Sequence, residues 1–136
     1  MTAAVFDTNV LVSSLLSPNG PPGKLLDAIL DGFCQPVVTD SIMAEYEIVL
    51  CRSKFAFPAA KIHLLLDAIR GRALHAPFAH VPETSALPDP DDVIFLEAAA
   101  SLNVPIVTGN LKHYPIKAVG SVQIISPANF LALLYG

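Results

Sequence analysis

Ala3-Ala4-Val5-Phe6-Asp7-Thr8-Asn9, close to the start of the chain, decides the fold class. Its first four residues form a short, unbroken apolar run, as a strand buried on both faces presents. An acid follows at once, then two residues able to cap a helix, and helical patterning continues from Val10 to Leu16. A doubly buried strand passing straight into a helix opens an α/β unit built on a parallel sheet. The same grammar recurs down the chain. Ser17 to Gly23 reads as a turn, and Lys24 to Asp31 as a helix ended by Gly32. Gln35 to Thr39 reads as the second strand, followed by a helix from Asp40-Ser41 to Leu50 or Cys51 and another, opened by Pro58, to Arg70. From Leu74 to Leu87 the pattern degrades and allows one short strand. Pro90 opens a helix over Asp91 to Leu102, Val104 to Thr108 and Val122 to Ile125 read as strands, and Asn129 to Leu134 as the last helix. The expected fold is α/β, with a mainly parallel sheet and helices on both faces.

With 136 residues the chain fits one compact domain, residues 1–136, large enough to bury a core without staples. Hydrophobic residues make up 53% and charged residues 15%, which excludes a disordered chain and predicts apolar surface for a partner to cover. Cys34 and Cys51 make no disulfide framework or zinc site by themselves, and their apolar surroundings predict two buried structural thiols. The N-terminus lacks the basic and apolar segments of a signal peptide, and no apolar stretch approaches the roughly 18 residues that span a bilayer. The expectation is a cytoplasmic protein with no membrane segment.

A net charge of −4 runs against nucleic-acid binding, which favours a basic balance. Two features soften that objection. Arg52, Lys54, Lys61, Arg70 and Arg72 supply five of the eight basic residues within one stretch, and Asp89, Asp91 and Asp92 crowd together where a cation could neutralise them.

Ligands of open parallel sheets bind just beyond the carboxyl ends of the strands. Asp7 stands there after the first strand, Asp40 and Glu45 after the second, and Gly109-Asn110 after Val104 to Thr108. The helix entering that strand begins Asp89-Pro90-Asp91-Asp92. Acids gather with no cysteine and no convincing histidine pair nearby, a hard-oxygen set suited to Mg²⁺ or Mn²⁺ rather than zinc. Each residue also has a plainer reading. Asp7 reads as a helix cap, the Asp89 cluster as a capped acidic first turn, and Asn110 as a turn residue. Glu45 and Glu47 both fall at the margin of the apolar face set by Ile42, Met43, Tyr46, Val49 and Leu50, so periodicity does not choose between them.

In register along nearly the whole chain, from about Val5 to Leu134, these segments resemble the PIN-domain family. Asp7-Thr8-Asn9 is similar to its opening signature, Ser41 to Leu50 with Glu45 to its second acidic helix, and Asp89 to Ala99 to its third acidic segment. Thr108-Gly109-Asn110 stands where many members carry Thr-x-Asp, and Ile125 to Leu131 is similar to the family's closing strand–Pro–helix element. The stretch Thr108 to Pro115 resembles a branch of toxin components, VapC-like ribonucleases of bacterial toxin–antitoxin systems. The resemblance implies a PIN-like three-layer α/β/α fold with a mainly parallel central sheet. It implies catalytic residues Asp7, Glu45, Asp92 and Asn110, with Asp7, Glu45 and Asp92 binding Mg²⁺ or Mn²⁺ and Asp89 auxiliary. It further implies a single-stranded RNA substrate, an antitoxin protein partner and a homodimer.

Asn110 departs from the pattern. A neutral amide orients water but adds no charge, so a second metal is held less tightly there. On this departure rests the alternative of a catalytically weak or inactive PIN-like binding module regulated by a protein partner. A third class, phosphotransfer with Asp7 as nucleophile, lacks its supporting residues, because Asn9 stands where such phosphatases need a second Asp.

Overall fold

β1 (Ala3–Phe6) carries no polar side chain, and it is paired on both edges and covered on both faces. In this computed structural model, which describes residues 2–77, 87–115 and 119–135, the described strands form one five-stranded sheet in the order β3-β2-β1-β4-β5. The other four are β2 (Gln35–Val38), β3 (Leu74–His75), β4 (Ile106–Val107) and β5 (Ile124–Ile125), and every pairing is parallel. Ala3 lies opposite Gln35 on one side of β1, and Val5 and Phe6 lie opposite Ile106 and Val107 on the other.

Among the described residues six α-helices flank the sheet: α1 (Thr8–Leu16), α2 (Pro21–Leu30), α3 (Asp40–Leu50), α4 (Ala59–Arg72), α5 (Val93–Leu102) and α6 (Pro127–Tyr135). Alternation along the strands divides the core into two layers. Val5 and Ile106 face Ile42, Tyr46, Leu66 and Phe95 of α3, α4 and α5. Ala4, Phe6 and Val107 face Leu25 and Ile29 of α2 and Phe130 of α6. α1 contributes Leu11 to the first layer and Val10 to the second. Aromatic pairs sit in each layer, Tyr46 stacked near Phe95 and Phe6 edge-on to Phe130 at 6.0 Å. The three-layer α/β/α fold is the one expected, with the sheet entirely parallel.

Several boundaries differ from the sequence reading, for local reasons. Pro21-Pro22-Gly23 is the first turn of α2 rather than a loop, because Pro suits the first helical positions. Gly23 is required there: a Cβ would stand 2.0 Å from the Pro18 carbonyl oxygen. β4 is shorter than expected, and Pro105, which has no N–H, takes part only by accepting from Val5 N–H at 2.9 Å. α6 begins at Pro127, with the Ser126 hydroxyl accepting from Asn129 N–H. Cys34 is buried, and burial pushes its thiol up to about 12. Cys51 is exposed, against expectation, because it caps α3 in helical geometry on the same face as the exposed Ala44, Glu47 and Ile48. Of the degraded stretch, Leu74–His75 is the short strand and residues 78–86 lie outside the described residues. Among the described residues no helix is long and apolar enough to cross a membrane.

The chain runs outward from β1 through β2 to β3 and then returns to the opposite side of β1 to lay down β4 and β5. The strand order therefore reverses between β1 and β4. At such a point the loops beyond the strand ends part and leave a crevice for ligand.

Candidate active site

Backbone bonds fasten the strand ends where the order reverses: Asp7 N–H donates to the Val107 carbonyl at 2.9 Å, tying β1 to β4, and Thr108 N–H to the Ile125 carbonyl at 3.0 Å, tying β4 to β5. Asp7 thereby comes to rest beside Thr108. It occupies the cap position of α1 yet makes no side-chain capping bond. Its Oδ2 instead accepts from the Thr108 hydroxyl and from the Tyr114 hydroxyl, each at 3.0 Å. The helix-cap reading of this residue is thus replaced by a long-range one. Asp7 is only 5% exposed, and two donors on one oxygen fix the rotation of the carboxylate.

Thr108 is the hub of this arrangement. While donating to Asp7, its oxygen accepts from Asn9 Nδ2 at 3.2 Å and from Asn110 N–H at 3.1 Å. Asn9 also accepts, through Oδ1, from Gly109 N–H at 2.9 Å. Asn9 therefore clasps both residues of the Thr-Gly turn, and a side chain at Gly109 would crowd that same oxygen at 3.3 Å. From α3, the Tyr46 hydroxyl donates to the Phe6 carbonyl at 2.6 Å, securing the end of β1. Burial first, and the neighbouring Asp7 charge second, raise the hydroxyl pKa of both Tyr46 and Tyr114, so both remain protonated donors.

Asp92 approaches from the helical side. Asp89 caps a single 3₁₀ turn, Pro90–Asp92, its side chain accepting from Asp91 N–H at 2.9 Å, and α5 follows directly. The capped-turn reading holds for Asp89, and the turn swings Asp92 inward to 7% exposure. The Asp92 carboxyl is raised to about 6, chiefly by burial, then by Asp7; the nearby His113 opposes the shift and Asp89 adds to it. Asp7 and Asp92 thus feel each other's charge.

Around this centre Asp89, Asp92 and His113 offer one donor atom each, all within 4.8 Å of one another. His113 Nδ1 stands 2.9 Å from Asp92 Oδ2. Among the described residues two buried side-chain oxygens lack a hydrogen-bond donor, Thr8 Oγ1 and Asp92 Oδ2, and the second belongs to this group. A concentrated set of carboxylates with an unsatisfied buried oxygen fits a divalent cation.

The other residues singled out in the sequence are placed less centrally. Glu45 is half-buried in a groove shared with Ser41, Pro90 and Asp91, so it flanks the acidic turn without joining the three close donors. Glu47 and Asp40 are exposed. Asn110 reaches the site through its backbone bond to Thr108, and its side chain caps nothing. Of the basic stretch, Arg70 pairs with Asp67 at 3.2 Å within α4, and Arg72 donates to the Ala68 carbonyl of α4 and to the Leu30 carbonyl at the end of α2, so both are engaged within the fold. Sequence reasoning missed His113 and Tyr114. Their only signal was position, within the short turn Leu111–His113 and just after it, downstream of the Thr-Gly-Asn strand end.

Comparison with known proteins agrees with this fold. The family model described as PIN domain matches residues 3–112. Uncharacterized protein MJ1680 of Methanocaldococcus jannaschii is 46% identical over 41 residues, covering 30% of this chain and 26% of that protein. The match thus spans about a quarter of that relative. Among solved structures, FitAcB from Neisseria gonorrhoeae aligns with a TM-score of 0.60 at 17% identity, covering 92% of this chain and 98% of that one. VapBC2 from Rickettsia felis, bound to a DNA fragment from its promoter, aligns with a TM-score of 0.59 at 14% identity over 92% and 98% of the two chains. At these identities the likeness is one of fold.

Proposed function

The chain belongs to the PIN domain family, whose members are generally nucleases that typically use a divalent metal, and from that premise we propose that it is a metal-dependent ribonuclease acting on single-stranded RNA. The observation that carries this reading is that consecutive residues of one turn reach two buried acids far apart in sequence: His113 Nδ1 stands 2.9 Å from Asp92, and the Tyr114 hydroxyl donates to Asp7 at 3.0 Å. Two buried carboxylates beside Asp89 repel one another and favour a cation among them.

Asp7, Asp92 and Asp89 would hold Mg²⁺ or Mn²⁺, with Glu45 reaching in from the neighbouring groove wall. Such an ion, when bound, acidifies water and offsets the negative charge that develops on the phosphate. Thr108 and Tyr114 hold Asp7 Oδ2 in one orientation and leave its other oxygen free of side-chain donors among the described residues. A carboxylate held in place before the substrate arrives loses little freedom on binding. The cation also meets the charge objection, because an acidic protein can engage an anionic strand where its acids are neutralised.

The wider role proposed is that of a toxin paired with an antitoxin, as a cytoplasmic homodimer. A chain of each of the VapBC2 and FitAcB structures shares its fold, and the exposed side chains of Phe33, Ile48, Leu64, Leu133 and Tyr135 give a partner apolar surface to cover. Asn110 favours a second reading, a PIN-like binding module of weak or no activity. The test is cleavage of single-stranded RNA with Mg²⁺ or Mn²⁺ by highly purified protein and by Asp7→Asn. Cleavage that requires the ion and vanishes in Asp7→Asn supports the enzyme. Ion binding without cleavage supports the binding module, and full activity in Asp7→Asn removes the enzyme reading.

A further inference from the structure

His113 brings a nitrogen donor into a site otherwise made of oxygen. It sits at the end of the one-turn helix Leu111–His113, half-buried, with Nδ1 2.9 Å from Asp92 Oδ2. Among the described residues His113 Nδ1 is the one close polar partner of that buried carboxylate oxygen, and the imidazole tautomer decides whether it presents an N–H or a lone pair. Neutral imidazole protonated on Nε2 turns a lone pair on Nδ1 toward it. Two lone-pair atoms that close repel unless a positive particle mediates, either a proton on the imidazole or a metal ion between them. The donor atom of Asp89, within 4.8 Å of both, turns the pair into a triangle, which a single proton cannot span. Adjacent donors on one ion, at bonds of about 2.1 Å, stand about 3 Å apart, which the Asp92–His113 spacing already matches.

We propose that Asp89, Asp92 and His113 form a mixed carboxylate–imidazole site that takes a first-row transition divalent ion in preference to Mg²⁺. The inference deepens the metal-dependent reading above by assigning a ligand and an ion class to the same centre. Imidazole is a borderline donor that favours transition ions, whereas Mg²⁺ demands oxygen and sheds water reluctantly. Asn110 leaves the opposite end of the turn without charge, so the imidazole supplies the donor on this side of the crevice.

The test uses Co²⁺ as a visible probe and Mg²⁺ as the comparison, by absorption and calorimetry near neutral pH, on the intact chain and on His113→Ala. Melting temperature serves as the folding control. Co²⁺ should bind the intact chain at least about tenfold more tightly than Mg²⁺, with ligand-field bands that change in His113→Ala. That variant should lose about tenfold or more in Co²⁺ affinity and much less in Mg²⁺ affinity, on the scale of removing one coordinating or orienting group. Unchanged Co²⁺ bands and affinity in His113→Ala would overturn the proposal and leave His113 an ion-pair partner. The nuclease reading survives that result if cleavage still depends on Asp7. His113-dependent Co²⁺ binding in a protein that cleaves no RNA upholds the site and removes the nuclease. An intact chain that binds neither ion overturns both.

Discussion

The Tyr114 hydroxyl donates to Asp7 Oδ2 at 3.0 Å across 107 residues of sequence, joining the end of β1 to the turn beyond β4. Tyr114→Phe removes this donor while preserving the buried ring. Divalent-metal affinity should fall about tenfold or more, as is usual when a group orienting a ligand is lost. Stability of the protein without metal should drop by about 1 kcal/mol or somewhat more, because a buried carboxylate loses a partner. Calorimetric titration alongside chemical denaturation checks both, and unaltered metal affinity would show that Thr108 alone holds Asp7.

Asp92 gives the stability of the metal-free protein an inverted pH dependence. Its carboxyl is raised from an ordinary 3.8 to about 6, so between these values the native state binds more protons than the unfolded chain. Stability should therefore fall as pH rises from about 4 to about 6 and level off above, by about 1 to 2 kcal/mol from this group. Asp92→Asn should flatten that slope and raise stability at neutral pH. Metal affinity runs the other way, weakening as pH drops through about 6, because protons and cation compete for the same oxygens. Urea denaturation at stepped pH reads the first effect, and a slope of opposite sign would refute the assigned cause.

Asn110 sits beside Thr108 with a side chain that carries no charge and caps no helix. Asn110→Asp adds Coulomb attraction for a cation and a second binding oxygen, so it should tighten divalent-metal binding and preserve or raise RNA cleavage. Without metal the extra acid should lower the melting temperature through repulsion with Asp7 and Asp92. Weaker metal binding in this variant would mean that the amide serves as a donor to a neighbouring carboxylate.

Gly23 offers a contest of opposite effects. Alanine favours a helix interior over glycine by about 1 kcal/mol. Here the added methyl would stand 2.0 Å from the Pro18 carbonyl oxygen, a contact with backbone that no side-chain rotation relieves. Overpacking should win, and Gly23→Ala should destabilise by about 2 kcal/mol or more. A stabilised variant would show that the Pro18 turn moves freely.

Order and type of most elements were legible because strands buried on both faces and helices with one apolar face leave different periods. Asp7 was legible for a related reason: an acid directly after such a strand lies at the sheet's carboxyl end. Choosing among Asp89, Asp91 and Asp92 required more than composition, since the 3₁₀ turn alone decides which one swings inward. Resemblance selected Asp92, and the turn buries it. Glu45 was the better choice over Glu47 in burial, yet no pattern could say how far a long side chain reaches from a groove wall. His113 and Tyr114 escaped notice because their partners lie on other elements, and a one-turn helix has no period to reveal its inward side. Cys51 failed for a simpler reason: its apolar neighbours in sequence, Val49 and Leu50, lie on the buried face of α3, whereas Cys51 follows Glu47 and Ile48 onto the exposed one.

The reversal of strand order at β1 also governs when the acids can meet. Phe6 finds Val107, and Asp7 its two hydroxyl donors, only after the chain has been made through Tyr114. Pairings this distant in sequence close late, since loop entropy must be overcome before they contribute. On the ribosome, where synthesis proceeds at roughly 5 to 20 residues per second, the growing chain can lay β2 and β3 beside β1 while one edge of β1 waits. A product cut short before β4 would keep Asp7 and every helix through α5, yet leave that carboxylate with neither Thr108 nor Tyr114 to aim it.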